Sequence, residues 1–150
     1  MKIINKKFNR DYEKIETFEA GIVLTGGEVK SIKEGRLRLE DSYVKFLDDG
    51  PYLVNAEIPP YRFATSQGYD PKRSRKLLLN KKEIIRLKTK LKSASGLTVV
   101  PVLCYNKGKL LKLEIALARG RKEIEKKKLE KKREIEREKE KEIKEWIWRT

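Results

Sequence analysis

The chain has 150 residues, a length typical of one domain, with 41% charged residues and a net charge of +15. A single cysteine, Cys104, excludes an intrachain disulfide, and we find no signal peptide or membrane-spanning apolar run, so a reducing cytoplasm is the expected location. Abundant Lys and Glu also suit a hot cytoplasm, but the excess of positive charge favours an anionic partner, above all nucleic acid.

The N-terminal third contains a basic end, a strand and a short helix. The first ten residues, "MKIINKKFNR", have four Lys/Arg and no acid. The apolar, β-branched run "FEAGIVL" predicts a strand. In "TGGEVKSIKEG", Thr25 followed by Glu28 predicts a capping box, and Gly35 predicts the end of the helix.

The middle of the chain predicts a hairpin, a strand and a second helix. "DSYVKFL" and "PYLVNAEI" alternate in polarity around the turn sequence "DDG". "KLLL", residues 76–79, predicts a further strand whose leucines lie in the core. "NKKEIIRLKTKLK" predicts a helix capped by Asn80 with Ile84, Leu87 and Leu91 on its buried face.

The last strands predict a long hairpin and complete the fold. "GLTVVPVLCYN" and "KLLKLEIALA" flank a lysine-glycine turn, and Pro101 indicates a bulge or an edge position. About six strands and two short helices predict an α+β, mainly β fold, namely a small closed antiparallel β-barrel. An open sandwich is the alternative. We expect this domain to span residues 1–118 and a charged segment to span residues 119–150.

The positive charge is concentrated in one segment of the domain. Residues 72–92 contain ten basic residues and one acid, which is typical of a nucleic-acid footprint. If Ile84 and its neighbours face the core, Lys81, Lys82, Arg86 and Lys88 point outward. Tyr61 and Tyr69 are aromatic residues for which base stacking and turn packing both remain open.

The composition argues against an enzyme. The chain has no histidine, the commonest general base and metal ligand, and Cys104 lies in an apolar run without a histidine partner. "TGGE" lacks the spacing and the lysine of a phosphate-binding loop, and no paired acids indicate a metal site. We therefore expect no catalytic residue, no metal and no cofactor.

Residues 119–150 have no pattern from which a core could form. Residues 119–133 contain nine Lys/Arg and three Glu, whereas residues 134–145 contain six Glu and four Lys/Arg. The apolar residues Ile124, Leu129, Ile135 and Ile143 follow neither a stripe nor a heptad, which makes a coiled coil unexpected. When free, this segment should be disordered or only partly helical.

Five ordered blocks carry a family resemblance: "FEAGIVLTGGEVKSIKEGR", "DSYV", "DPKRSRKLLLNKKEI", "GLTVVPV" and "IALARGRK". Over about residues 5–133 the chain resembles the small protein B (SmpB) family, the SsrA-binding proteins of bacterial trans-translation. The resemblance implies an oligonucleotide-binding (OB)-type barrel that binds transfer-messenger RNA (SsrA RNA). A ribosomal protein or a non-specific single-strand binder with the same barrel is the alternative.

The resemblance implies that the tRNA-like domain of this RNA contacts the domain. Lys and Arg suit phosphates, Asn and Tyr can hydrogen-bond to or stack on unpaired bases, and Glu19 can accept from a base or orient a neighbouring cation. The residues expected to bind RNA are Asn5, Lys6, Lys7, Arg10, Tyr12, Glu19, Arg75, Lys76, Lys81, Lys82, Arg119 and Gly120.

The resemblance also implies a role for residues 119–150 on a stalled ribosome. They would enter the decoding centre and the vacant messenger path, become helical against small-subunit ribosomal RNA, and be delivered there with translation elongation factor Tu. No membrane or DNA partner is expected. The residues expected at the decoding centre are Arg121, Lys122, Ile124, Glu125, Lys126, Lys127 and Lys131.

The chain departs from the family pattern in this segment. The family usually has an Asp-Lys-Arg triplet, often preceded by a ring, where this chain has Glu125, Lys126 and Lys127 preceded by Ile124. The charge is kept, but bidentate arginine geometry and ring stacking are lost. Trp146 and Trp148 have no assigned role.

Overall fold

The computed structural model describes residues 1–64 and 67–149, with the backbone alone at residue 149. The chain divides into two units, Met1–Gly120, which we call the body, and Arg121–Thr150, which we call the tail. The elements of the body are β1 (Lys2–Ile4), α1 (Phe8–Asp11), β2 (Tyr12–Ile22), α2 (Gly26–Lys33), β3 (Tyr43–Leu47), β4 (Gly50–Val54), β5 (Arg75–Leu78), α3 (Lys81–Ser93), β6 (Leu97–Lys107) and β7 (Leu110–Gly120).

The seven strands form one antiparallel sheet with the order β1-β6-β3-β4-β5-β2-β7, and β6 also pairs with β7. The predicted hairpins β3–β4 and β6–β7 are both present. The β6–β7 register shifts between Pro101 and Leu103, as expected of a proline that cannot donate to the ladder. A mixed protein with an antiparallel sheet is therefore confirmed.

The core lies between the inward faces of the strands and the two helices α2 and α3. Leu113, Ile115 and Leu117 of β7 are buried together with Ile32 of α2 and Leu87 of α3. The period of two along β7 and the helical spacing in α3 produce these buried faces, as the sequence predicts. The prediction that all three leucines after Lys76 lie in the core is wrong for Leu78, which is 55% exposed.

Both predicted helix starts are present. The Thr25 side chain accepts a hydrogen bond from the Glu28 backbone N–H at 3.2 Å, and the Thr25 N–H donates to Glu28 Oε1 at 2.9 Å. This is a capping box. Gly35 has a φ of +79°, a conformation that favours glycine after a helix. At α3 the Asn80 N–H donates to Glu83 Oε1 at 3.2 Å.

The N-terminal segment is folded, which the local sequence pattern does not predict. β1 pairs with β6 so that Ile3 lies opposite Cys104. Phe8 is buried on the other side of β6 and β7, in a second small core with Val100, Val102, Ala116 and Ala118. Ile3 and Phe8 are the apolar signals of this arrangement, but their partners lie about a hundred residues away in sequence, beyond any local pattern.

The tail contains one helix, α4 (Glu123–Arg149). This differs from the expected disordered or partly helical segment, and for the chain as a whole it means that strands no longer predominate. Residues 123–149 contain no Gly or Pro and consist mostly of Glu, Lys and Arg, which are good helix formers. Two acids in the first turn, Glu123 and Glu125, also stabilise the helix by interacting favourably with the positive end of its dipole.

Across the described residues, no helix combines the length and the apolar character needed to cross a membrane.

Candidate RNA-binding surface

Arg75, predicted to bind RNA, is fully buried, and that prediction is wrong. Its Nε donates to Glu28 Oε2 at 2.8 Å, its Nη1 to the Ala56 carbonyl at 2.7 Å, and its Nη2 to the Pro71 carbonyl at 3.0 Å. A guanidinium can be buried only when its donors are satisfied in this way. Arg75 therefore joins β5 to the β4–β5 loop and cannot contact a phosphate.

Glu28 is the anionic centre of the same buried network. Its Oε1 accepts from the Thr25 N–H and from Arg73, and its Oε2 accepts from Arg75 and from the Tyr69 hydroxyl, the last at 3.1 Å. Burial alone would raise its pKa, but the hydrogen bonds and the two guanidinium groups lower the pKa of Glu28 to about 2. This network attaches the loop before β5 to the first turn of α2.

Asn5 is also buried, and the prediction that it contacts RNA is wrong for its side chain. The Asn5 Nδ2 donates to the Pro101 carbonyl at 2.9 Å, and its Oδ1 accepts from the Lys7 N–H at 3.3 Å. The Asn5 N–H also donates to the Val102 carbonyl at 2.8 Å. Asn5 thus fixes the turn after β1 against β6 and sets the position of the two lysines that follow.

Those lysines line a basic cleft in the body. The side chains of Lys6 and Lys7 are exposed, and Lys7 lies 3.7 Å from the carboxylate of Asp41. The cleft has a volume of about 730 Å³. Its charged lining residues are Lys2, Lys6, Lys7, Arg38, Glu40, Asp41, Glu57 and Lys72. Five cations against three acids suit a phosphate backbone with room for hydrogen-bonded bases.

Arg10 and Tyr12 continue from the same segment. Arg10 Nη1 lies 3.7 Å from the neighbouring Asp11, and the Tyr12 ring stacks on Phe8 with 5.7 Å between centroids. Burial, with the nearby Asp11 and Asp41, raises the pKa of Tyr12, so its hydroxyl keeps its proton. The ring is half-buried, and the hydroxyl can donate to an acceptor on RNA.

Glu19 lies on the exposed outer face of the sheet, where two partners from β6 hold it. The Tyr105 hydroxyl donates to Glu19 Oε2, and Lys107 Nζ donates to Oε1 at 3.3 Å. The hydrogen bond from Tyr105, then the one from Lys107, lowers the pKa of Glu19. Partial burial and the bond to Glu19 raise the pKa of Tyr105 to about 12. The alternative that Glu19 orients a cation is thus realised, and Tyr105 and Lys107 are residues that sequence reasoning missed.

The basic face of α3 has an unpredicted organiser in Glu16 of β2. Arg86 Nε donates to Glu16 Oε1 at 2.8 Å, and Lys90 Nζ donates to Oε2 at 3.1 Å. Partial burial would raise the pKa of Glu16, but these two hydrogen bonds outweigh it and lower the pKa. Glu16 therefore attaches the exposed side of α3 to the sheet.

Lys81 and Lys82 are exposed at the first turn of α3, as predicted. In the part of the chain that the structure describes, no carboxylate forms an ion pair with either of them. Lys76 is half-buried, and its Nζ lies 3.9 Å from the carboxylate of Asp49, which partly compensates its charge. The first turn of α3 is thus a cationic group available to an external anion.

The remaining predicted residues lie at the end of β7 and in the tail. Arg119 and Gly120 are exposed and pair with Glu13 and Tyr12 of β2, which brings them beside the N-terminal group. The predicted tail residues are exposed except for Arg121 and Lys126, which are half-buried. Those within α4 are Ile124, Glu125, Lys126, Lys127 and Lys131.

Comparison with known proteins identifies the family of this chain. A family model described as SmpB protein matches residues 2–145. An SsrA-binding protein from Sulfurihydrogenibium is 51% identical over 82% of this chain and 80% of its own length, and one from Pseudothermotoga lettingae is 48% identical over 82% of each. A chain in the solved structure described as "tmRNA-SmpB: a journey to the center of the bacterial ribosome" is 42% identical, with a TM-score of 0.67 over 81% of this chain and 85% of that one. The chain therefore belongs to the SmpB protein family.

Proposed function

We propose that the body binds the tRNA-like domain of transfer-messenger RNA and that the complex rescues stalled ribosomes by trans-translation, tagging the nascent peptide. The observation that carries the proposal is the similarity to a chain of the tmRNA-SmpB structure. The net charge of +15 and the exposed cations of the body support an RNA partner. The role is one of binding and delivery, without catalysis.

The fold supports this proposal if the sheet is an OB-type barrel. The strand pairings run from β6 through β3, β4, β5, β2 and β7 and return to β6. We infer from this cycle that the strands form a small closed barrel, which leaves no long unpaired edge. Its outer surface then carries α3, the N-terminal segment and Glu19 as a common platform.

The contacts divide by chemistry. Lys6, Lys7 and Arg10, with the first turn of α3 and Arg119, bind phosphates and set the orientation of the RNA. Tyr12 and the Glu19 group contact unpaired bases, with Lys107 held by Glu19 for a phosphate or a base edge. Asn5 and Arg75 act indirectly, because they fix the backbone on which these groups stand.

We propose further that the tail occupies the decoding centre and the vacant messenger path. A helix whose first part, residues 123–133, is rich in Lys and Arg suits a channel lined by ribosomal RNA phosphates, and the acidic residues 134–145 follow it in sequence. Ile124 and the sequence Glu125-Lys126-Lys127 replace the usual ring and Asp-Lys-Arg, so we expect aliphatic packing and point charges to make this contact. The setting is the bacterial cytoplasm, with translation elongation factor Tu in the delivery complex.

A gel shift with two RNAs of equal length tests the assignment. One RNA is the isolated tRNA-like domain, and the other is an elongator transfer RNA. We expect the full chain to bind the first more tightly, at a salt concentration where non-specific attraction is weak. Comparable binding to both would contradict the assignment to transfer-messenger RNA and would favour a general RNA binder or a ribosomal protein.

A further inference from the structure

An aromatic and cationic group projects from the loop between β4 and β5. Phe63 is 79% exposed, so most of its ring meets solvent. The ring packs edge-on against Tyr61, with 5.4 Å between centroids and an interplanar angle of 72°. Arg62 lies 5.5 Å from the Phe63 centroid, and Lys30 of α2 lies 5.4 Å from the Tyr61 centroid. Two rings are thus accompanied by two cations at the surface.

The base of this loop is attached to α2 and to Arg36, which follows that helix. The Ser31 hydroxyl donates to the Pro59 carbonyl at 2.7 Å, and Arg36 Nη1 donates to the Pro60 carbonyl at 3.3 Å. The Ala64 N–H donates to the Tyr61 carbonyl at 3.1 Å and closes the turn that carries both rings. Phe63 therefore projects into solvent from a turn whose preceding residues, Pro59 and Pro60, are anchored by hydrogen bonds.

The surroundings are cationic and contain a cavity. Residues 30–36, "KSIKEGR", provide three cations and one acid, and that acid, Glu34, lies 3.8 Å from Arg62. A cavity of about 360 Å³ opens beside Tyr61, between the start of α2 and the prolines Pro59 and Pro60. Flat apolar rings within a field of positive charge fit a nucleobase and its phosphate.

We propose that this group, Tyr61, Arg62 and Phe63 with Lys30, is a second RNA contact that stacks one unpaired base on Phe63. Arg62 and Lys30 bind the adjoining phosphates. The contact uses α2 and the β4–β5 loop, whereas the surface described above uses the N-terminal segment, β2, β6, β7 and α3. The inference rests on the proposed RNA-binding function but not on which RNA is bound.

The first test compares single-stranded and double-stranded RNA. Affinities of the full chain for a 12-nucleotide single strand and for the matching duplex are measured for Phe63→Ala, Phe63→Leu and Phe63→Tyr. Removing one stacked base weakens binding by roughly tenfold or more. We expect that weakening for the single strand in the Ala and Leu variants, little change for the duplex, and recovery in the Tyr variant. Leu110→Ala, which removes a 63% exposed apolar side chain elsewhere, is the control and should change neither affinity.

The second test observes the stacking itself. The chain has two tryptophans, Trp146 and Trp148, so Phe63→Trp in a Trp146→Phe, Trp148→Phe background gives a single probe at the proposed contact. Its fluorescence should be quenched by the single strand and unaffected by the duplex. Unchanged affinities together with an unquenched probe would overturn the inference and would favour a protein partner for this ring. If the unmodified chain itself failed to bind RNA, the proposed function would fail first.

Discussion

The body and the tail are both rich in charge, but different forces stabilise each of them. In the body, side chains such as Leu113, Ile115 and Leu117 are fully buried, and each contributes about 1.5–3 kcal/mol by leaving water. In the tail, Ile124, Ile135 and Ile143 remain exposed, and the helix depends on propensity and on pairs worth about 0.2–0.5 kcal/mol each. The body is therefore organised before any partner arrives, whereas the tail is a helix whose stability a partner or a single residue can change.

The largest effect should come from breaking the buried ion pair of the body. Arg75→Ala removes one of the two arginines that pair with Glu28, whose side chain is 1% exposed, and leaves only the partly exposed Arg73 as its ion-pair partner. Breaking such a pair destabilises a protein by about 3–5 kcal/mol. Urea denaturation should show this decrease in the free energy of unfolding of the body. Lys132→Ala, which removes a cation from the exposed face of the tail, should change that free energy by less than about 0.5 kcal/mol.

Acid should weaken the same network. Because the folded pKa of Glu28 is lowered from 4.5 to about 2, its contribution is fully present above about pH 4.5 and is lost as the pH falls through about 2. The shift corresponds to about 3 kcal/mol. The difference in unfolding free energy between the unmodified chain and Glu28→Gln should therefore shrink between about pH 5 and pH 2. A constant difference across that range would contradict a charged Glu28 in the folded body.

A proline in the tail should destabilise the tail helix without affecting the body. Lys128→Pro costs about 3 kcal/mol within a helix, so circular dichroism should show a weaker helical signal. Because the proline lies outside the core, the unfolding midpoint of the body should not change, and Lys128→Ala should preserve both. On the proposed mechanism the proline variant binds transfer-messenger RNA normally and fails to support tagging. Full tagging would mean that the tail acts as an extended basic strand.

The smallest effect concerns the salt dependence of RNA binding. Changing Lys81 and Lys82 together to Ala should lower the slope of log affinity against log salt by roughly one unit for each lysine that binds a phosphate. Lys139→Ala with Lys141→Ala removes the same charge from the tail and should leave the slope nearly unchanged. Equal changes in both variants would indicate general attraction rather than a site at the first turn of α3.

Local patterns predicted much of the body because they depend on neighbours in sequence. The Thr25 and Glu28 cap, the buried face of α3 and the bulge after Pro101 all follow from spacing of a few residues. Asn5 and Arg75 were misassigned because their roles depend on partners 96 and 47 residues away. A basic or amide side chain has the same local sequence signal whether it faces RNA or a buried carbonyl.

Only those parts of the candidate site that depend on residue type and on local spacing could be predicted from the sequence. Lys81 and Lys82 are exposed as expected, since they lie opposite the apolar face of their own helix. Glu16 with Arg86, and Glu19 with Tyr105, could not be found in this way because 70 and 86 residues separate the partners. For the tail, the absence of an apolar stripe predicted the absence of a core, but the propensity of an uninterrupted run without Gly or Pro was underestimated.

The most direct test of the division between body and tail is truncation after Gly120, with RNA affinity and tagging measured on the same preparation. The truncated chain keeps the whole body and lacks the five net positive charges within residues 121–133. We expect affinity for transfer-messenger RNA to fall only modestly, because non-specific attraction weakens with the missing charge, and tagging on stalled ribosomes to collapse. Tagging that survives truncation, or RNA binding that disappears with the tail, would contradict a body that binds RNA and a tail that acts on the ribosome.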